Sequence, residues 1–334
     1  MPYQVAIIGT GNVARAHALA CRALPETELS IALDISQESL QKFCAEFGVA
    51  LHYNDVEQML NFESQIDIAI ICSWGPTHAE ASNFIARSGG AKAILVERPF
   101  ATNAAEAADM VQAAGDNDVL IVEGHKFRHH PQHIKVKQMV DSGLIGEIKN
   151  IRSNFCTLTN AGWRKPGLSW RYSREKGGSC INDLASGCIH HARFIYGAEP
   201  EKVFCAAQMG EEVEETADIT LAFPGGKCAQ ISVGFNYQAS QYIEISGTKG
   251  MFRIDPAWEN EGQEVTVYMQ DSRRQRITYP ISAAYQFLQQ LENICQFLKS
   301  GTAPRVPADD SIKQMLVMDA VFESVSSGAS VDLE

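Results

Sequence analysis

Over its first 122 residues the chain alternates short apolar runs with longer amphipathic stretches. This alternation is typical of βαβ units, in which crossover helices cover a sheet of parallel strands. The apolar runs predict strands at residues 4–8, 29–34, 66–72, 93–96 and 119–122, and the stretches between them predict helices at 13–23, 37–46, 78–88 and 104–114. We therefore expect the chain to begin with a parallel-sheet α/β domain.

A Gly-x-Gly-x-x-Ala turn directly follows the first predicted strand and opens a helix. Gly9 permits a tight turn, Gly11 lets the backbone approach a pyrophosphate, and the small Ala14 keeps the helix close to the strand. The free N–H groups at the helix start, at Asn12 and Val13, would bind that pyrophosphate. In this position the motif predicts a dinucleotide-binding Rossmann domain over residues 1–123.

Asp34, at the end of the second predicted strand, bears on the choice of dinucleotide. A carboxylate there would accept bonds from the adenosine ribose and repel the extra phosphate of NADP, so we expect NAD rather than NADP. The alternative is that Asp34 caps the helix beginning near Ser36. The other expected cofactor residues follow later strands and are Ser73, Glu97 and Arg98.

After residue 123 the pattern changes to a helix at 132–142, a strand from 145 toward 158, a polar loop rich in Trp and Arg, and a helix near 181–196. Seven β-type runs follow, at 202–208, 217–223, 228–235, 242–246, 251–254, 264–269 and 276–279, and helices at 284–298 and 311–326 close the chain. Turn residues such as Pro224-Gly225-Gly226 make neighbouring runs antiparallel. Residues 124–334 are thus predicted to form an α+β domain with a large, mostly antiparallel sheet for substrate binding and oligomerisation. The alternative for the last helix is that it packs back toward the first domain.

Composition excludes several classes of function. No apolar run reaches the length of a membrane span and no basic leader precedes the first strand, so we expect a cytoplasmic protein without a membrane partner. A formal net charge of −12 and the lack of Lys/Arg-rich runs argue against nucleic acid. The nine cysteines are odd in number and scattered through apolar segments, which favours reduced, buried thiols.

A bound metal is not expected either. His125, His129 and His133 are spaced four residues apart, but Pro131 prevents an uninterrupted helix, so the three imidazoles need not share a face. No carboxylate or Cys completes a recognisable ligand set.

The segment Glu97-Arg98-Pro99-Phe100-Ala101-Thr102 resembles a motif of the glucose-fructose oxidoreductase/inositol dehydrogenase (Gfo/Idh/MocA) family. The similarity runs nearly end to end. Its other marks are Phe127-Arg128-His129-His130-Pro131, Gly143-Leu144-Ile145-Gly146, Trp170-Arg171 leading to Gly177-Gly178, Asp183, the turn at 304–307 and the helix end Ser326-Ser327-Gly328.

The resemblance implies hydride transfer between a nicotinamide and a carbinol carbon, usually of a sugar or cyclitol. It also implies acid/base groups, namely the Lys of a Glu-Lys-Pro motif and the pair in Asp-x-x-x-His. This sequence keeps Asp183, but Arg98 stands where the Lys is expected and Gly187 where the His is expected.

The catalytic candidates are Asp183, Arg98 and His190. A guanidinium stays protonated at any working pH, so Arg98 cannot act as a base, although it can polarise a carbonyl or clamp a carboxylate. Asp183 and His190 are seven residues apart on a predicted helix and would share a face. Gly187 lies on that side too and would leave room for a larger substrate. The alternative is that His190 and His191 only pack the helix.

Aromatic and cationic residues before that helix, with others after residue 125, predict a substrate site. Arginines pair with carboxylate or phosphate, so their excess suggests an anionic or richly hydroxylated substrate. Some of these residues are expected only to fix the loop to the sheet, and Lys126 has the alternative of a solvated lysine. The predicted substrate-binding residues are Lys126, Arg128, Trp163, Arg164, Trp170, Arg171, Asp183 and His191.

The sequence thus predicts an NAD(H)-dependent enzyme acting on a hydroxylated small molecule. Two other functions remain open: an imine or keto reductase of specialised metabolism, and a dinucleotide-binding regulator without turnover, against which the retained Asp183 counts.

The predicted second sheet also suggests an assembly. Its runs near 219–223 and 229–235 carry apolar residues at alternating and at intervening positions, so both faces of these strands would be apolar. Few helices remain to cover the two faces of the sheet. Such a surface would pair with a copy of itself, so we expect a homodimer, or a homotetramer, formed sheet to sheet.

Overall fold

A six-stranded parallel sheet in the order β3-β2-β1-β4-β5-β6 occupies the N-terminal part of the computed structural model, which describes residues 1–62 and 66–333. The strands are β1 (Tyr3–Ile8), β2 (Thr27–Leu33), β3 (Leu51–Tyr53), β4 (Ile68–Ile71), β5 (Ala93–Val96) and β6 (Leu120–Glu123). The helices between them are α1 (Asn12–Ala23), α2 (Gln37–Phe47), α3 (Val56–Phe62), α4 (His78–Arg87) and α5 (Ala104–Asp116). This order places the switch in winding direction between β1 and β4, where open α/β sheets bind their ligands.

The central strands of this sheet are buried on both faces. Every residue of β4 and β5 is buried, as are the last four residues of β1. Such continuous apolar runs are typical of parallel strands covered by helices on both sides. The prediction of a Rossmann-type N-terminal domain is confirmed.

Two elements of the N-terminal domain were not predicted, the strand β3 and the helix α3. β3 has three residues, and its Leu51 is exposed, so it carries no apolar run that a pattern could detect. β2 ends at Leu33, so Asp34 is the residue after the strand and not its last residue.

A late segment of the chain packs into the first unit. Among the described residues, this unit holds Met1–His129 and Tyr285–Met315, and the second unit holds His130–Ala284 and the residues from Leu316 onward. Helix α8 (Gln286–Ser300) therefore lies with the first sheet, where its Leu291, Ile294 and Cys295 join the apolar core formed around α1. The sequence prediction had placed this helix in the second domain, because periodicity does not reveal what a helix packs against.

The second unit contains a nine-stranded sheet in the order β14-β13-β12-β11-β7-β10-β9-β8-β15. Its strands in the described chain are β7 (Ile148–Cys156), β8 (Lys202–Met209), β9 (Glu214–Phe223), β10 (Lys227–Gly234), β11 (Tyr242–Gly247), β12 (Gly250–Ile254), β13 (Val265–Asp271), β14 (Arg276–Ile281) and β15 (Val331–Asp332). The helices α6 (Pro131–Asp141) and α7 (Ser186–Tyr196) also belong to this unit, whereas α9 (Ala308–Ser327) begins in the first unit and continues in the second from Leu316. β7 and β10 pair in parallel and the other neighbours are antiparallel, which confirms the predicted mostly antiparallel sheet.

β7 is shorter than the strand predicted from 145 toward 158. Gly143 and Gly146 adopt positive φ angles of 75° and 72°, which turn the chain before the strand begins at Ile148. β15 was not predicted at all, since two residues are too few to form a pattern.

The two faces of the second sheet differ in polarity. In β9 and β10, Ile219, Leu221, Ile231 and Val233 are buried. The alternate positions Asp218, Thr220, Gln230 and Ser232 on these two strands are polar and at least partly exposed. The expected apolar second face is therefore mostly polar in these strands, with apolar side chains only at Ala222 and Cys228. The dimer that was inferred from it stays a prediction.

The helix predicted near 181–196 is not uniform. Residues Ile181–Ala185 form a π-helical turn, and α7 begins only at Ser186. A π turn has a different angular step from an α-helix. The α-helical spacing argument that put Asp183 and His190 on one face therefore does not hold.

None of the described helices combines the length and the apolar character needed to cross a bilayer.

Candidate functional site

A cleft of about 780 Å³ lies at the carboxyl ends of β1, β2 and β4. Its lining residues come from the turns after these strands and from α2, α3 and α4. They are Ile8, Gly9, Thr10, Gly11, Leu33, Asp34, Ile35, Ser36, Ser39, Asn54, Asp55, Val56, Glu57, Cys72, Ser73, Trp74, Thr77, Glu80, Ala81 and Phe84.

The glycine-rich turn forms the floor of the cleft. Gly9 has a φ of 88°, and a Cβ on it would lie 2.6 Å from the backbone nitrogen of Ser73, so only glycine fits. A Cβ on Gly11, by contrast, would meet no atom within 4 Å. The chain itself does not demand glycine at this second position, and the open side is where a pyrophosphate would lie against the backbone. The turn therefore fits the dinucleotide that its sequence predicts.

The start of α1 is also suited to an anion. Gly11 is its N-cap and offers no side-chain hydrogen bond, and no acidic residue lies in the first turn. The first N–H groups of a helix have no partner within the helix, and the helix dipole favours negative charge there. Asn12 and Val13 keep their predicted place at this end of the helix.

Asp34 is fixed by three hydrogen bonds. The backbone N–H and the hydroxyl of Thr10 both donate to its Oδ2, each at 2.7 Å, and the N–H of Ser36 donates to Oδ1 at 2.8 Å. Ser36, not Asp34, is the N-cap of α2. The Asp34 carboxylate accepts all three of these hydrogen bonds and thus links the glycine-rich turn to the start of α2.

The cleft is acidic. Asp34, Asp55, Glu57 and Glu80 line it, and no Lys, Arg or His occurs among the described lining residues. Asn54 donates to the Asp34 carbonyl oxygen at 2.7 Å and holds the loop after β3 against this end of the cleft.

Glu97, directly after β5, is paired with a histidine on α1. His17 Nε2 lies 2.7 Å from Glu97 Oε1, and the two side chains are 1% and 12% exposed. Burial raises the pKa of Glu97. The hydrogen bond from His17 and the positive charges of His17, Arg98 and Lys126 outweigh it and bring the pKa below its ordinary value.

Phe287 of α8 joins this pair to Lys126. Its ring meets the His17 ring edge to face at 4.9 Å between centroids, and the Lys126 ammonium lies 4.8 Å from its centroid. The Lys126 side chain is therefore held against an aromatic ring and is not simply solvated. Its neighbour Arg128, also a predicted substrate residue, donates to the Arg305 carbonyl oxygen at 2.6 Å.

The turns after β4 and β5 are linked through His78. Its Nδ1 lies 3.0 Å from the Pro99 carbonyl oxygen, and its Nε2 lies 3.0 Å from that of Ser73. The Ser73 hydroxyl accepts from the Thr77 hydroxyl at 2.8 Å. Arg98 is half-buried in the second of these turns. The predicted cofactor residues Ser73, Glu97 and Arg98 thus share one edge of the sheet.

In the second unit, Asp183 is paired with Arg171. Arg171 Nε donates to Asp183 Oδ2 at 2.6 Å, and the side chains are 42% and 13% exposed. The Arg171 guanidinium also lies 5.1 Å from the centre of the Trp170 ring. Three of the predicted substrate-site residues are therefore in direct contact.

Gly178 holds the Arg171 loop close to the Asp183 turn. A Cβ on Gly178 would lie 2.3 Å from the Trp170 carbonyl oxygen and 2.6 Å from that of Arg171. The N–H of Gly178 donates to the Ser173 carbonyl oxygen at 2.8 Å. Only glycine allows this approach.

The other arginines of the loop also bind carboxylates or carbonyls of the chain. Arg164 pairs with Glu215, and Arg174 donates to the Glu212 carbonyl oxygen. The arginine excess therefore has internal partners, so it is weaker evidence for an anionic substrate than the sequence suggested. Trp163 is 62% exposed.

The two histidines of α7 are buried. His190 is 1% exposed and His191 0%. The His191 ring contacts those of His133 and Trp258 at centroid distances of 5.1 and 5.9 Å. This packing favours the interpretation of His191 as a helix-packing residue.

Sequence reasoning missed His17, Thr10 and Phe287. His17 carried a detectable signal, because it lies on the same helix face as the buried Ala14, Ala18 and Cys21. Thr10 lay within the recognised motif and was passed over. Phe287 gave no signal, since it follows the glycine-rich turn by more than 270 residues.

Two family models match the chain. The model described as an oxidoreductase family with an NAD-binding Rossmann fold matches residues 3–125, and that of the GFO/IDH/MocA C-terminal domain matches residues 133–253. Together they span more than two thirds of the sequence.

Full-length relatives agree with these matches. Myo-inositol 2-dehydrogenase of Thermotoga maritima is 27% identical, over 99% of this chain and 98% of its own. D-xylose 1-dehydrogenase (NADP(+)) 2 of Haloferax volcanii is 24% identical, over 98% and 99%. A 3-ketoreductase from Actinomadura kijaniata, solved with NADP and TDP-benzene, has a TM-score of 0.88 and 25% identity, covering 97% of this chain and 98% of its own.

These similarities and the dinucleotide cleft make the protein an NAD(P)-dependent oxidoreductase. The chain belongs to the GFO/IDH/MocA oxidoreductase family.

Proposed function

We propose that the protein transfers hydride between NAD(H) and a carbinol or carbonyl carbon of a sugar, cyclitol or related hydroxylated molecule. The turn at Gly9–Asn12 would hold the pyrophosphate, Asp34 the adenosine ribose, and Glu97 the nicotinamide half. A bound nicotinamide supplies hydride acceptance and donation, and the protein supplies binding, orientation and proton transfer.

The acidic lining of the cleft is the observation that carries the choice of NAD over NADP. Asp34, Asp55 and Glu57 lie at the end where the adenosine ribose would bind, and no described lining residue offers a cation to an extra phosphate. Like charges brought together on binding cost several kcal/mol. Relatives are named or solved with NADP, so the proposed preference for NAD rests on this chain's own residues alone.

The substrate class rests on two observations. Two of the relatives named above are dehydrogenases of inositol and of xylose, which are polyhydroxylated molecules. In this chain, Arg164 and Arg171 are bound to Glu215 and Asp183. These pairs favour a substrate recognised through its hydroxyl groups over one recognised through a carboxylate or phosphate.

Titration calorimetry with NADH and NADPH tests the cofactor assignment. We expect NADH to bind at least roughly tenfold more tightly, because the acidic lining repels the 2′-phosphate. Glu57→Gln should tighten NADPH and leave NADH unchanged. It is the sharper variant, since Asp34 also holds Thr10 and Ser36 in place. Equal or tighter binding of NADPH by the native protein would show that the assignment is wrong.

A panel of cyclitols and aldoses, followed by nicotinamide absorbance, tests the reaction. Turnover of at least one neutral polyol is expected. Binding of NADH with no redox change on any polyol, aldose or keto sugar would instead support a regulator.

A further inference from the structure

We propose that His17 is a positioning residue of the cofactor site, which holds the Glu97 carboxylate in place for the nicotinamide half of the dinucleotide. This inference rests on the proposed function in taking NAD(H) as the cofactor. It adds a residue outside the glycine-rich motif, on the buried face of the helix that this motif opens.

The order of the strands places Glu97 at the opposite end of the site from Asp34. Along the carboxyl edge, Asp34 follows β2, Gly9 follows β1, Ser73 follows β4 and Glu97 follows β5. Three strand spacings, roughly 14 Å, separate β2 from β5. A dinucleotide whose adenosine lies at Asp34 and whose pyrophosphate lies at Gly9 therefore extends its nicotinamide toward Ser73 and Glu97.

The contact between His17 and Glu97 has a defined direction. A carboxylate only accepts hydrogen bonds, so His17 Nε2 donates to Glu97 Oε1 across their 2.7 Å distance. His17 Nδ1 is buried and has no hydrogen-bond partner in the described part of the chain. Within the described chain, the other carboxylate oxygen, Oε2, accepts a long 3.4 Å hydrogen bond from the Arg98 N–H and no other. His17 thus fixes one oxygen and leaves the second able to accept from a ligand.

The surroundings keep this pair in one arrangement. Phe287 packs edge to face on the His17 ring, and a Cβ on Gly124 would lie 3.2 Å from the Glu97 carboxyl carbon. The carboxylate therefore lies between an imidazole on one side and closely approaching backbone on the other. Without the His17 donor, this largely buried carboxylate would lose its strongest described partner and could turn away from the ligand.

The test compares two ligands on the full-length protein, NADH by fluorescence titration and ADP-ribose by calorimetry. ADP-ribose lacks the nicotinamide and reports only on the adenosine and pyrophosphate end. His17→Leu removes the donor and keeps an apolar side chain against Phe287. His17→Gln returns an N–H near the position of Nε2. His52→Leu is the control, because His52 is an exposed histidine of the same unit whose ring contacts the Ala50 carbonyl oxygen and no carboxylate among residues 1–62 and 66–333.

We expect His17→Leu to raise the Kd of NADH roughly tenfold or more, the loss typical of a hydrogen bond to a charged group, while the Kd of ADP-ribose changes less than about twofold. His17→Gln should recover most of the loss, and His52→Leu should bind both ligands normally. If His17→Leu does not fold, Glu97→Gln is measured in the same way and should weaken NADH alone.

Three outcomes would overturn the proposal. An unchanged NADH affinity in His17→Leu, or in Glu97→Gln where that variant replaces it, removes the positioning role. Equal weakening of NADH and ADP-ribose shows that the residue only stabilises the fold. In both cases the proposed function survives, because the native protein still binds NADH. Failure of the native protein to bind NADH overturns the proposed function, and the role of His17 with it.

Discussion

At the scale of single residues, the two units place their carboxylates by the same means. Glu97 is held by His17 and Asp183 by Arg171, and in each pair the carboxylate is more than four-fifths buried. Pairing of this kind offsets the cost of burying a carboxylate. Asp183, with one oxygen bound at 2.6 Å and the side chain 13% exposed, is the group we propose for proton transfer to or from the substrate oxygen.

Asp183→Asn tests that role. The amide of asparagine cannot act as a general acid or base near neutral pH. We therefore expect turnover of a polyol substrate to fall at least about 100-fold, within the range of general acid–base catalysis. The Kd of NADH should stay within about twofold, because Asp183 belongs to the unit without the dinucleotide cleft. Asp218→Asn is the control, as this exposed aspartate lies on the polar face of the second sheet. Near-native kcat in Asp183→Asn would assign proton transfer to another group.

At the scale of elements, the segment before α7 shows how local backbone geometry fixes a side chain. The π turn Ile181–Ala185 carries Asp183, and the loop around Trp170 carries Arg171. Gly178 lets these two segments approach to within backbone contact distance. The sequence predicted one continuous helix here and missed both the π turn and this close approach. Helical periodicity shows which residues share a face, but it does not show a local change in the angular step of the backbone.

Gly178→Ala should therefore move the loop. Its Cβ would overlap the Trp170 and Arg171 carbonyl oxygens, and overpacking of this kind typically costs about 1–3 kcal/mol. Gly167→Ala is a matched control, since a Cβ there meets no atom within 4 Å, and surface changes usually stay within about 0.5 kcal/mol. Urea unfolding of both variants gives the comparison. Equal stability of the two variants would mean that the loop does not depend on Gly178.

At the scale of the whole molecule, buried histidines make stability depend on pH. Burial, with the charges of Arg305, Arg128 and His125, lowers the pKa of His129 to about 3. Burial and the charge of His130 outweigh a bond to the Ala257 carbonyl and lower the pKa of His133 to about 3. Both residues thus stay neutral in the folded protein, one in each unit, while in the unfolded chain they take up protons below about pH 6.5.

The folded protein should consequently lose stability as pH falls below 6.5. The unfolded state binds the protons, so each histidine costs its unit roughly 1.4 kcal/mol between pH 7.5 and 5.5, and the loss continues until about pH 3. Urea unfolding at these two pH values measures the effect. His133→Gln should reduce the pH dependence of the second unit. A urea unfolding midpoint that is the same at pH 7.5 and at pH 5.5 would contradict the prediction.

The sequence by itself determined the parallel first sheet, the glycine-rich turn with Asp34 beside it, and the antiparallel second sheet, because these features depend on local periodicity and short-range turn chemistry. Only the tertiary structure decided that His17 meets Glu97, that Arg171 meets Asp183, and that α8 joins the first unit. His17 and Glu97 are 80 positions apart in the sequence. The sequence pattern around either residue therefore does not indicate that the two are in contact. Side-chain pairing of this kind follows from how the elements pack, and packing is a property of the whole fold.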